Sequence, residues 1–295
     1  MSEWPTLDRL RVQPLIDVAI EEDVGSGDVT TDWTVPTGRI ARAHLVVKAR
    51  GVLAGLPIVS WVFERIDPTI VVEVLMEEGR PVSPGDVVAE VRGPARGLLT
   101  GERTALNFLQ RLSGVATTTV RYVEAVKGTG TRILDTRKTL PGWRLLDKYG
   151  VRVGGGTNHR MGLFDMVLLK ENHIEAADGI GPAVYSARRS MSSSKREVKV
   201  EVEVRNLTEL EEAMMAGVDW VMLDNMDVDT MAQAVRQVHH HGEPRPSIEA
   251  SGNVNLKSVR EIAETGVDFI SVGSLTHSVS ALDISMLFKP NGGSE

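Results

Sequence analysis

The chain reads as an α/β protein in two parts, and three features of the sequence say so. Residues 1–112 mix helical and strand-like runs without a fixed rhythm, as an α+β region does. From about residue 115, short apolar runs alternate with helical patterns: TRILDT, MVLLKE, VKVEVEV, WVMLDN, SIEAS and FISVGS, the signature of a parallel sheet built from βα units. Two of these units repeat, since AMMAGVDWVMLDN and IAETGVDFISVGS share helix, Gly-Val-Asp, aromatic and strand with their glycines 49 residues apart. A barrel of about six parallel strands fits this repeat, with an open doubly wound sheet as the alternative.

Taken in order, the apolar spacing predicts a first helix over 12–22, then a Gly/Asp/Thr loop over 21–32. Strand-like runs follow at 41–49, 69–77 and 86–93, and EEGRPVSPGDVVAEVRG predicts a hairpin around a Pro-Gly turn. A helix over 100–112 carries Ala105, Leu106, Leu109 and Leu112 on one face, with Thr100 as its N-cap, and Ser113-Gly114 is expected to end it. In the second part the helices fall at 143–149, 180–191, 208–216, 228–240 and 256–265, and ALDISMLF in the tail reads as one more. The boundaries expected are 1–112, 113–277 and a tail over 278–295.

Composition narrows the function classes. With 42% apolar and 25% charged residues the chain is an ordinary globular protein, and the absence of cysteine excludes disulfides, zinc–thiolate sites and a thiol nucleophile. No signal-like segment opens the chain, and the apolar run 52–63 is too short to span a bilayer, so a cytoplasmic protein without a membrane partner is expected. The net charge is −7, yet residues 131–170 hold eight Lys/Arg against three Asp, a +5 island that leaves −12 elsewhere. Such an island suits a small polyanion; nucleic acid wants a broad basic face and stacking aromatics, and aromatics are only 4%.

In βα barrels the working residues sit at the C-terminal strand ends. Arg137 and Lys138 follow the first strand, and Lys170 the second. With His159 and Arg160 behind the triple glycine 154–156, they make a cationic set suited to carboxylates, which arginine grips through two parallel hydrogen bonds. Period-two alternation puts Lys199, Glu201 and Glu203 on one face of the third strand. Glu203 and Asp224 end adjacent strands, where a carboxylate pair holds Mg²⁺, binds sugar hydroxyls or stabilises a cationic transition state. Ser251-Gly252-Asn253 and Gly273-Ser274 offer unobstructed N–H groups after the last two strands, a common phosphate site, and His277 lies just beyond. His239, His240 and His241 read as a solvated helix end, since consecutive helical residues point apart.

The blocks ERTALNFLQRLSGVAT, DTRKTLPGWRLLDKYGVRVGGGTNHRMGLFDMVLLKENHI, EVEV, LDN, EASGNV and SVGSLTHS resemble the quinolinate phosphoribosyltransferases, as does EEDVGSGDVTTD near the start. The resemblance implies an N-terminal α/β sandwich and a C-terminal open α/β barrel, paired in a homodimer. It implies transfer of phosphoribosyl from 5-phosphoribosyl 1-pyrophosphate to quinolinate with loss of CO₂, for NAD synthesis, with Mg²⁺. Carried over, Arg137, Lys138, His159 and Arg160 would bind the two pyridine carboxylates, and Arg103 would reach in from the partner subunit. Lys138, Lys170 and His277 would meet the pyrophosphate; Glu203 and Asp224 the ribose hydroxyls and Mg²⁺; Ser251, Gly252, Gly273 and Ser274 the 5-phosphate. Lys138, Glu203 and Asp224 would be the catalytic residues. The acid-acid-Thr-Thr-Gly run of the common phosphoribosyltransferase fold is absent. A sister enzyme acting on another base acid is the nearest alternative. A lipoyl-type carrier would need a lysine at the turn Ser83-Pro84-Gly85-Asp86, which has none.

Overall fold

A computed structural model describes residues 7–289. Asp8 opens α1 (Arg9–Val24) by accepting from the Leu10 N–H, and Asp28 opens α2 (Val29–Thr34) through the Thr31 N–H. The Gly/Asp/Thr loop expected over 21–32 is therefore largely helical. Next come β1 (Ile40–Val47), β2 (Gly51–Val52), α3 (Leu56–Ile66), β3 (Val71–Val74), β4 (Pro81–Val82), β5 (Val87–Pro94) and α4 (Ala95–Ala125). The chain goes on through β6 (Arg132–Leu134), α5 (Arg144–Val153), β7 (Val167–Leu169), α6 (Glu171–Ala176), α7 (Ile180–Ser194), β8 (Val200–Val204) and α8 (Leu207–Met215). It ends with β9 (Trp220–Asp224), α9 (Val228–His240), β10 (Ser247–Ser251), α10 (Val259–Glu264), β11 (Phe269–Ser271), α11 (Ser274–His277) and β12 (Ile284–Phe288).

Two compact units result. The first takes the chain up to Val120, Leu140–Gly155 and the residues from Thr276. Its antiparallel sheet has the order β12-β1-β5-β3, and its core gathers Leu45, Val47, Phe63, Val91, Leu98 and Phe108. Four sequence expectations change here. The tail run ALDISMLF forms a strand, because Ile284 and Met286 alternate inward while β1 offers its open edge to pair with it. The Pro-Gly turn forms, with Asp86 N–H donating to the Ser83 carbonyl, but its arms part: β4 pairs with β2, and β5 with β1 and β3. Ser113-Gly114 does not end the helix. The Ser113 hydroxyl exchanges hydrogen bonds with the Ala54 backbone, and Gly114 leaves room for the Ser280 carbonyl, which an added Cβ would meet at 2.3 Å. Packing therefore carries α4 through, and Thr100, inside the helix, bonds Asp28 instead of capping it.

The second unit, Arg121–Thr139 with Gly156–Leu275, holds a parallel sheet of order β6-β11-β10-β9-β8-β7. The strands from β7 to β11 succeed one another in chain order, which is the progression of a barrel and lacks the reversal of a doubly wound sheet. β6 and β7 are the two sheet edges, so the barrel is open. The Gly-Val-Asp repeat has a physical role. Gly217 and Gly266 end their helices at positive φ, and Asp219 and Asp268 then accept from the Val200 and Ile248 N–H groups, each fixing the start of the preceding strand. Trp220 and Phe269 stack at 4.4 Å and, with Met166 and Leu134, form an apolar cluster. Since Trp220 and Phe269 begin their strands, their stacked rings fill the N-terminal end, and polar side chains gather at the other.

Candidate active site

A cavity of about 450 Å³ opens at the C-terminal strand ends of the second unit, within the size range of small-molecule sites. Period-two alternation builds its wall. Val200, Val202 and Val204 take one face of β8 while Glu201 and Glu203 take the other, and Trp220, Met222 and Asp224 share a face of the neighbouring β9. The wall holds Arg137, Lys138, His159, Arg160, Lys170, Glu203, Asp224, Ser251 and Gly252 from the sequence candidates. Gly273 and Ser274 are not on it; Ser274 lies 3.3 Å from the Tyr122 hydroxyl. Arg103 and His277 belong to the first unit, both exposed, and His277 bonds Ser278.

The glycine loop owes its position to a residue that sequence reasoning passed over. Asp135, fully buried just after β6, accepts from the His159 backbone N–H at 2.9 Å and from Asn158 Nδ2 at 2.5 Å. Thr157 also bridges to Leu134, so the loop runs along the open edge of β6 and delivers His159 and Arg160 to the cavity. Arg160 Nη1 donates to the Met166 carbonyl. Burial, and then the positive charge of Arg137, hold its pKa below the usual guanidinium value. Two guanidinium groups held this close favour a ligand with more than one negative charge. Across the wall, Lys170 Nζ bonds Glu203, and Asp224 Oδ2 accepts from Asn225 Nδ2 at 3.0 Å.

Beneath these lies a buried trio. His159 Nε2 is 2.9 Å from Glu201 and 3.4 Å from Glu249, both carboxylates being fully buried. Burial raises Glu201, and the charge of Glu249 raises it further. Burial alone would lower His159, but its bonds to Glu201 and Glu249 raise it. The trio therefore keeps one proton beyond a neutral ring and two carboxylates. The Arg160 N–H donates to His159 Nδ1 at 2.7 Å. Both ring nitrogens are engaged inward. Glu249 was legible only as a charge inside the apolar run SIEAS, a signal that a surface residue gives equally well.

A pH effect on stability follows. Below about pH 6.5 an unfolded histidine also binds a proton, so the trio contributes no slope between there and the carboxylate range. Above it the folded state holds the extra proton, and stability falls by up to about 1.4 kcal/mol per pH unit as pH rises. The double variant Glu201→Gln/Glu249→Gln should lose that fall and instead weaken below pH 6.5. Urea melts of both proteins across this range measure the difference; parallel profiles would contradict the assignment.

Fold and site together define a βα-barrel protein with a small polyanion site at its strand ends. The chain belongs to the quinolinate phosphoribosyl transferase family, matching that family's N-terminal domain over residues 28–113 and its C-terminal domain over 115–287. A relative from Synechocystis, a probable nicotinate-nucleotide pyrophosphorylase (carboxylating), is 44% identical across 93% of this chain and 92% of its own. The structure of the nicotinate-nucleotide pyrophosphorylase from Francisella tularensis superposes with a TM-score of 0.91 at 38% identity, covering 98% of this chain and all of that one. NadC from Streptococcus pyogenes gives 0.90 at 40%, covering 96% and 97%.

Proposed function

We propose that the chain transfers the phosphoribosyl group of 5-phosphoribosyl 1-pyrophosphate to the nitrogen of quinolinate, with loss of the 2-carboxylate as CO₂, giving nicotinate mononucleotide and pyrophosphate for NAD synthesis. The observation that carries this reading is the pair Arg137 and Arg160 beside Lys138 on one cavity wall, with Glu203 and Asp224 on the same cavity. The cations suit a pyridine dicarboxylate. The carboxylates suit a ribose carbon that becomes positive as pyrophosphate leaves. Attack by the pyridine nitrogen forms the N–C bond and breaks the C–O bond to pyrophosphate. The ring nitrogen, now positive, stabilises the electron pair left on the adjacent carbon when the C–CO₂ bond breaks, and that carbon takes a proton. The protein's contribution is orientation and charge.

Glu203 and Asp224 offer hard oxygen donors, and Mg²⁺ commonly takes one or two carboxylates and completes its shell with water and substrate phosphate. They would hold such an ion, which when bound would neutralise the pyrophosphate charge. Lys170 and Lys138 would meet the pyrophosphate, and Ser251 and Gly252 the 5-phosphate. His159 serves by holding the Arg160 segment against the buried carboxyls rather than by donating to the pyridine.

We place Arg103 in a partner copy's site, with Gly273 and Ser274 supporting the phosphate end. Trp33, Val71 and Val74 leave apolar surface exposed on the first unit, as a homodimer interface would. Mixing inactive Arg103→Ala and Lys138→Ala chains should restore about a quarter of the activity if sites are shared, by random pairing of subunits; proven heterodimers without activity would contradict it. Among the described residues no helix is long and apolar enough to cross a membrane, and a cysteine-free chain suits the cytoplasm.

Incubation with quinolinate, 5-phosphoribosyl 1-pyrophosphate and Mg²⁺, with mass detection of the nucleotide, tests the reaction. Nicotinate mononucleotide from quinolinate and none from nicotinate supports it; the reverse moves the chain to a sister activity.

A further inference from the structure

Two asparagines at adjacent strand ends adopt the left-handed conformation: Asn225 after β9, with φ 52°, and Asn253 after β10, with φ 50°. Non-glycine residues rarely sit there, and asparagine is among the few that tolerate it. Both line the cavity, as do Asp224 and Gly252.

Their side chains form one chain of hydrogen bonds. Asn253 Nδ2 donates to Asn225 Oδ1 at 3.2 Å, and Asn225 Nδ2 donates to Asp224 Oδ2 at 3.0 Å. The Asn225 N–H donates to the Ser251 carbonyl at 2.9 Å, which ties its backbone to the same loop. Gly252, with φ 102°, lies under the amide so closely that an added Cβ would stand 2.2 Å from Asn225 Oδ1. The Asn225 amide is thus held on three sides, by the carboxylate, by the loop asparagine and by the bare glycine. Its orientation follows from the two bonds: Oδ1 toward the loop, Nδ2 toward the carboxylate.

We infer that Asn225 is a positioning residue for the phosphoribosyl donor: it ties the Asp224 carboxylate to the Ser251-Gly252-Asn253 loop, so that the groups meeting the ribose and the groups meeting its 5-phosphate keep a fixed separation. This rests on the function proposed above. The residue acts through Asp224 and the loop rather than on the reacting atoms. It therefore sets affinity for the donor and leaves the pyridine-binding wall of Arg137 and Arg160 untouched.

Asn225→Gly removes the amide but keeps a residue at ease at positive φ. Its KM for 5-phosphoribosyl 1-pyrophosphate should rise by about tenfold or more, as for a lost hydrogen bond to a charged group, while the KM for quinolinate stays within about twofold. Calorimetric binding of 5-phosphoribosyl 1-pyrophosphate, with quinolinate omitted, should weaken by the same factor. Asn225→Asp, which sets a second negative charge beside Asp224, should weaken it further. If Asn225→Gly does not fold, Asn253→Ala, which cuts the other end of the chain, should show the same split to a smaller degree. Unchanged donor affinity, or equal losses for both substrates, overturns the inference. A wild-type protein that performs no phosphoribosyl transfer overturns the function on which it rests, and is recognised separately by that control.

Discussion

Arg137→Ala is expected to lower kcat/KM for quinolinate by about 10²- to 10³-fold, the cost of leaving a bound carboxylate without its charge-assisted partner in a cavity partly closed to water. Arg137 follows β6 and lines the cavity beside Arg160, whose guanidinium already feels both burial and the Arg137 charge. The two arginines repel until a dianion comes between them, so removing one spoils the fit for the second carboxylate. A monoacid such as nicotinate should then compete better against quinolinate in the variant than in the wild type. Arg137→Lys should recover only part of the loss, because an ammonium cannot make the paired planar bonds. Steady-state kinetics with both acids, on protein whose melting point matches the wild type, checks this. An unchanged quinolinate KM would remove the arginine clamp from the account.

Glu203→Gln is expected to cut turnover by about 10²- to 10³-fold, on the scale of removing one preorganised charge-stabilising group. Glu203 is next to last in β8, on the inward face, diagonal to Asp224 on β9, since Glu203 pairs with Met222 in the strand register. Its partner Lys170 holds the carboxylate at the cavity wall. The amide keeps the shape and loses the charge. The fall should therefore appear mainly in kcat, with the quinolinate KM little altered, because the carboxylate matters most when the ribose carbon turns positive. The variant should also require more Mg²⁺ for half-maximal rate. A loss confined to the quinolinate KM would place Glu203 at the pyridine instead.

Much of this was legible in the sequence, for identifiable reasons. Strands such as VEVEV announce both their period and their inward charges, and the strand-end rule then marks Lys170, Glu203 and Asp224. The Gly-Val-Asp repeat announced the βα units, though not that its aspartates bind the start of the preceding strand. What could not be read was long-range pairing. ALDISMLF became a strand because β1 had an open edge, a fact located 240 residues earlier in the chain. The Pro-Gly turn formed, but its arms were drawn to different partners. Ser113-Gly114, a local breaker, was overruled by the close packing of Ala54 and Ser280. In the site, Asp135, Asn158 and Glu249 escaped notice because their roles are mutual: a buried carboxylate next to an apolar strand takes its meaning from the loop or histidine that reaches it. Asn225 and Asn253 stand at strand ends in the sequence, but only the folded chain links their amides.

In the proposed reaction one cavity binds a pyridine dianion and a phosphoribosyl donor and couples transfer to loss of a carboxylate. Quinolinate labelled in its 2-carboxylate, with 5-phosphoribosyl 1-pyrophosphate and Mg²⁺, tests it most directly. Labelled CO₂ and pyrophosphate should be released in equal amounts, only when both substrates are present. Pyrophosphate without CO₂, or no release from folded protein, would contradict it.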